Sequence, residues 1–148
     1  MSMFLHGKNG VSCAVKLQLD GLTFEFSVDT VGTGEWPRTT FRVHDKWFNY
    51  DMEDAELIDF QELNDLQFKL RKALQGKSEG SETEISFIEP DITFTLRHDE
   101  DGLWATEIRV FPYDGPVGVN HYCFTLDKKE TEQLEHYLQK MLCSTEGE

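Results

Sequence analysis

The sequence is short of cysteine, of positive charge and of long apolar runs, and each shortage excludes something. Three cysteines stand in 148 residues, at Cys13, Cys123 and Cys143. The count is odd and no pair is spaced C-x-x-C, which reads against a disulfide framework and leaves reduced thiols in a cytoplasm as the expectation. Lys and Arg number 14 against 28 Asp and Glu, a formal net charge of −14. Nucleic-acid binding draws its affinity from clustered Lys and Arg, so that partner is excluded, as is adhesion to anionic lipid through a polybasic segment. No apolar run approaches the roughly 18 residues of a membrane span. Met1-Ser2-Met3-Phe4-Leu5-His6 lacks a basic segment followed by an apolar stretch, so no secretory signal is read there.

What is present is a core. Hydrophobic residues make up 39% and aromatics 12%, too much for a chain that stays unfolded by self-repulsion. The length suits one domain over residues 1–148.

The grammar of the first half returns in the second, as a pseudo-repeat of residues 4–76 and 83–143. Val15-Lys16-Leu17-Gln18-Leu19 and Leu22-Thr23-Phe24-Glu25-Phe26 alternate on either side of Asp20-Gly21, a two-residue hairpin signal. Seventy positions on, residues 85–96 alternate around Pro90-Asp91. A third strand follows in each half, Thr39-Thr40-Phe41-Arg42-Val43 and Thr106-Glu107-Ile108-Arg109-Val110. A shorter fourth is expected to end at Leu57-Ile58 and at Phe124-Thr125-Leu126.

Each half closes on a helix. Asp59 stands three before Glu62, and Asp127 three before Glu130, the spacing of a capping box. Leu63, Leu66, Leu70, Ala73 and Leu74 form one apolar stripe, and Leu134, Tyr137, Leu138, Met141 and Leu142 the other. Gly76 is placed to stop the first helix, and the polar residues 77–82 to link the halves. The fold expected is α+β: a duplicated antiparallel meander of about four strands plus a helix, with both helices packed on the sheet.

Chemistry is sparse. His121 and Cys123 lie two apart on an expected strand, where they could share a face as nucleophile and base or as metal ligands. No third partner is identifiable, so no catalytic residue, metal or cofactor is assigned and the chain reads as no enzyme. Asp99-Glu100-Asp101-Gly102 lacks the alternating ligands of a calcium loop and reads as a hairpin turn. Gly32-Thr33-Gly34 precedes no helix, and His44 and His98 are expected at the surface or at strand ends.

One segment departs from the repeat. Between the third and fourth strands, residues 45–56 hold five acids and one Lys, whereas residues 111–120 hold one acid. Trp36, Trp47 and Tyr50 add aromatic area beside Asp51, Glu53, Asp54 and Glu56. Aromatic anchors ringed by charge are the anatomy of a protein-binding hot spot, and acids there would steer a basic partner.

The chain also resembles the WapI-type immunity proteins of wall-associated bacterial toxin systems. The resemblance rests on Ser86-Phe87-Ile88-Glu89-Pro90-Asp91-Ile92-Thr93-Phe94, on the preceding leucine-rich helix ending Leu70-Arg71-Lys72-Ala73-Leu74-Gln75-Gly76, on an early Trp-led strand region and on the final amphipathic helix. It covers about residues 4–142 and brings no functional residue with it. It implies a cytoplasmic protein that binds and occludes a cognate toxin, in this setting typically a nuclease with a basic face. Two other classes stay open on the residues alone: a small-molecule-binding module using a cavity between sheet and helices, and a hydrolase or metal protein built on His121 and Cys123.

Overall fold

Alternation of apolar and polar residues builds the strands of this molecule. The computed structural model describes residues 2–6, 12–29, 36–77, 80–87, 92–111 and 122–146, with the backbone alone at 2–6, 12, 13, 54 and 143–146. The first meander runs β1 (Ser2–His6), β2 (Ser12–Leu19), β3 (Leu22–Asp29), β4 (Arg38–Asp45) and β5 (Asn49–Ala55). Helix α1 (Phe60–Leu74) follows. The second meander runs β6 (Glu82–Ile85), β7 (Ile92–Asp99), β8 (Gly102–Val110) and β9 (Tyr122–Asp127), and α2 (Lys128–Glu146) closes the chain. Each meander is its own antiparallel sheet in sequence order, one of five strands and one of four. The class is the expected α+β, with β1 as a strand the sequence reading missed.

Contacts group the chain into two compact units, Met1–Gln61 with His136–Glu148, and Glu62–Glu135. The division falls inside α1, not in the polar stretch 77–82. Each unit therefore takes residues from both pseudo-repeats.

In the first unit the inward row of β3 is Leu22, Phe24, Phe26 and Val28, all buried. Phe41 and Val43 of β4 meet it, and Phe41 packs edge-on against both Phe24 and Phe26. Tyr137 of α2 is fully buried here, its ring edge-on to Phe26 and its hydroxyl accepting from Val28 N–H at 2.9 Å. The β2–β3 register ends at Val15–Phe26, so the hydroxyl serves an amide beyond the reach of that ladder.

In the second unit, Leu63, Leu66, Leu70 and Ala73 of α1 are buried as the stripe predicts, and Leu74 is half-buried. The Asp127 capping box forms as expected: Asp127 N–H donates to Glu130 Oε1 and Glu130 N–H to Asp127 Oδ1, both at 2.8 Å. Thr131 then donates to Asp127 O at 2.7 Å and bonds the Thr106 hydroxyl at 2.8 Å, joining α2 to β8.

Gly76 ends α1 as expected, at φ 72°, with Gly76 N–H on Ala73 O and Lys77 N–H on Lys72 O. The same turn is seated against the β7–β8 hairpin. A Cβ on Gly76 would lie 2.9 Å from Glu100 O, and one on Gly102, at φ 114°, would lie 2.9 Å from Leu74 O. Both neighbours are backbone and cannot swing aside. Left-handed strain and overpacking together should cost about 2–4 kcal/mol for Gly76→Ala or Gly102→Ala. The check is thermal unfolding of each variant beside Gly21→Ala, whose Cβ would meet nothing within 4 Å; the first two should melt clearly lower than the third.

Candidate functional site

Asp45 builds a turn at the end of β4. Its carboxylate Oδ1 accepts from Trp47 N–H at 2.7 Å and Phe48 N–H at 2.6 Å, and its own N–H donates to Phe48 O at 2.8 Å. These bonds close the chain in four residues and send it back as β5. Trp47 rides the tip with 85% of its surface exposed and the Lys46 ammonium 5.1 Å from its ring centroid.

The acidic segment is thus a short turn followed by a strand, not the long connection expected. Asn49, Asp51 and Glu53 of β5 point outward, while Tyr50 is buried and Met52 half-buried. A row of acids on the outward face hid that alternation in the sequence. The counterpart of β5 is β9: Arg42 stands opposite Asp51, and Arg109 opposite Cys123. Residues 112–120 and the Pro90-Asp91 turn lie outside the described residues, as does Gly32-Thr33-Gly34.

The expected anchors do not gather in one patch. Trp36 is half-buried beside the buried Pro37, at the start of β4. Trp47 follows the strand's other end, about 26 Å away for eight extended residues. Tyr50 faces inward, edge-on to Phe41 and stacked with Phe48, so it is a core residue rather than an exposed anchor. Glu56 lies at the Trp36 end, 3.9 Å from Arg38. Of Asp54 only the backbone is described.

Asp51 and Glu53 enter a charge row that sequence reading missed. Register places Lys16, Glu25, Arg42 and Asp51 directly opposite one another on β2, β3, β4 and β5. Arg42 Nη1 bonds both Glu25 oxygens at 3.1 Å, Nε bonds Glu53 at 3.1 Å, and Asp51 is 3.5 Å away. Its Nη2 also pairs with Glu53. The bond to Glu53 foremost raises the Arg42 pKa; desolvation opposes it, and the bond to and charge of Glu25 add to the rise. Lys16 reaches Glu25 at 3.6 Å, and His44 Nε2 lies 2.6 Å from Asp51. Arg42 between Phe41 and Val43 was the available signal, since a lone cation on an alternating strand invites acids on both neighbours.

The second sheet carries a different cluster. Arg97 bonds Glu82 at 2.6 Å and lies 3.5 Å from Glu107, which Arg109 bonds at 2.8 and 2.9 Å. Burial pushes the Glu107 carboxyl up, but Arg109 and Arg97 outweigh it and leave the pKa below the ordinary value. Cys123 borders this cluster, its side chain exposed. Desolvation, then the charge of Glu107, raise its thiol pKa, although Arg109 opposes both. Less thiolate forms at a given pH than in a free thiol, so iodoacetamide should label Cys123 more slowly at pH 8 than the unfolded chain. Peptide mapping of the labelled protein reads this out. His121 lies outside the described residues, so the pairing expected with Cys123 has no described geometry.

His98 refines another expectation. It lies near the end of β7, one of its two expected places, but is buried at 1% exposure rather than at the surface, with Nε2 2.9 Å from the Thr83 hydroxyl. It falls on the inward row of β7 with Ile92, Phe94 and Leu96, where strand alternation puts it. The Asp99-to-Gly102 hairpin turn forms as expected, with Asp101 N–H on Asp99 Oδ1 at 2.8 Å. Two more aromatics are exposed, Phe68 at 56% and Trp104 at 57%. Trp104 borders an open groove with Leu103, Asp127, Lys128, Lys129 and Glu132.

Among the described residues no three His, Cys, Asp or Glu side chains are grouped to hold a metal ion, and no helix is long and apolar enough to cross a membrane. A family model described as the Immunity protein WapI-like family matches residues 4–144, nearly the whole chain. The chain belongs to the WapI-like immunity family. Such a family is generally non-enzymatic, and its role in general is toxin neutralisation through binding a toxin. Comparison with curated proteins and with solved structures gives no match.

Proposed function

We propose that this WapI-like chain neutralises one cognate toxin domain by binding and occluding it, and that it does so through the Trp47 end of the first sheet. Membership of the family supports the activity. The observation that carries the site is Trp47, an indole held 85% exposed on a turn fixed by three hydrogen bonds. A large aromatic on a rigid support enters a partner's pocket with little conformational entropy left to lose. The −14 charge favours a basic toxin, such as a nuclease whose cationic substrate face an acidic protein can occupy. Trp36, Tyr50 and Glu56 fall outside the proposed contact, which is Trp47 with Asp51, Glu53 and, by its position in the sequence, Asp54. A cytoplasmic site of action follows from this reading.

The test is protection. Bacteria expressing the toxic domain of the cognate toxin should grow when the chain is co-expressed. Continued killing at full expression of the chain would overturn the proposal.

A further inference from the structure

The strand order of the first sheet ends on β5, and among the described residues no other strand pairs with it. An edge strand offers a partner its outward N–H and C=O groups. What distinguishes this edge is the row that runs into it. Lys16, Glu25, Arg42 and Asp51 alternate in sign strand by strand, and the row stops at the edge on a carboxylate. The next position asks for a cation. A residue opposite Asp51 on an added strand would sit about 5 Å away, as Arg42 does on the other side.

We infer that the open edge of β5 receives a strand of the toxin, carrying a basic residue opposite Asp51, with Trp47 seated beside it as anchor. The inference rests on the proposed toxin-binding function and names how that site binds. A second copy of this chain does not fit, because β5 against β5 sets Asp51 and Glu53 against the same acids. The other edges of the described sheets fit less well. Strand β9 presents Cys123 and Thr125, and its one acid, Asp127, is its last residue, at the start of α2. Strand β6 has Glu82 and Glu84 outward but is four residues long and adjoins no exposed aromatic. The side chains of β1 are outside the described set.

Strand addition predicts a signature that ordinary side-chain docking lacks: protection of alternate backbone amides. The experiment is residue-resolved hydrogen exchange of the full chain, alone and saturated with the toxin domain that the protection test identifies. Alternate amides within Asn49–Ala55 should slow about tenfold or more in the complex. Asp51→Lys should weaken the complex, and a toxin variant with the facing cation changed to Glu should recover part of the loss. A complex that forms with β5 exchange unchanged overturns the strand addition and leaves toxin binding standing. No complex at all overturns the function on which it rests. Concentration-dependent protection of β5 in the chain alone would assign the edge to a second copy and overturn the inference.

Discussion

Trp47→Ala should weaken the complex with the toxin domain by about 30- to 1,000-fold while leaving the protein as stable as before. Central aromatic anchors lose about 2–4 kcal/mol when truncated, and each 1.4 kcal/mol is tenfold in affinity. With 85% of its surface in solvent, Trp47 contributes little to the folded state. Surface changes of this kind stay within about 0.5 kcal/mol of the parent. Titration calorimetry and a melting curve on the same sample separate the two effects. Trp104→Ala is the matched control, since it removes an exposed Trp from the second sheet; its affinity should stay near the parent's. A loss at Trp104 with none at Trp47 would move the contact to the groove beside α2.

The largest stability effect is expected at Tyr137. Truncation to Ala would open a cavity where a fully buried ring meets Phe26, and would leave Val28 N–H without its acceptor. Large aromatic-to-Ala changes in cores cost about 3–5 kcal/mol, and an orphaned buried donor about 1–3 kcal/mol. These overlap, so Tyr137→Ala should lower stability by about 4–6 kcal/mol, near what a domain of this size can lose. Tyr137→Phe keeps the ring and removes only the acceptor, so about 1–3 kcal/mol is expected. Denaturant unfolding of both variants resolves the two contributions. Equal losses would mean that the hydroxyl dominates; no loss for Phe would mean that water reaches Val28.

These two residues mark where the sequence was and was not legible. Tyr137 falls on the apolar stripe of α2, so helical spacing identified it as core. The Asp20-Gly21 turn, both helices, Gly76 and the Asp127 capping box were likewise local signals, each set by a few neighbouring residues. Long-range pairing was not legible. The acids on its outward positions make β5 read as a connection leading to a strand that ends at Leu57-Ile58, and the cation that makes them tolerable, Arg42, lies nine positions before Asp51. Tyr50 was read as an anchor for the same reason, since its inward direction follows from the strand that was missed. His98 stands near a strand end, one of its two expected places, and its burial follows from sharing the inward row of Ile92, Phe94 and Leu96, a direction the alternation itself carries. At the proposed site, sequence reached Trp47, Asp51 and Glu53, but not the row of alternating charge that orders them.

The acid row also explains how an open edge is tolerated. Ion pairs as exposed as those of Arg42 with Asp51 and Glu53 contribute little stability, so at this edge Arg42 is better understood as setting register and polarity than as holding the sheet together. Like charges on the edge discourage self-pairing while leaving a basic strand welcome.

The most direct measurement is titration of the toxin domain's own activity with the purified chain. Binding and occlusion predict that activity falls in proportion to added chain and vanishes at an equimolar amount. Full toxin activity in the presence of excess folded chain would contradict it.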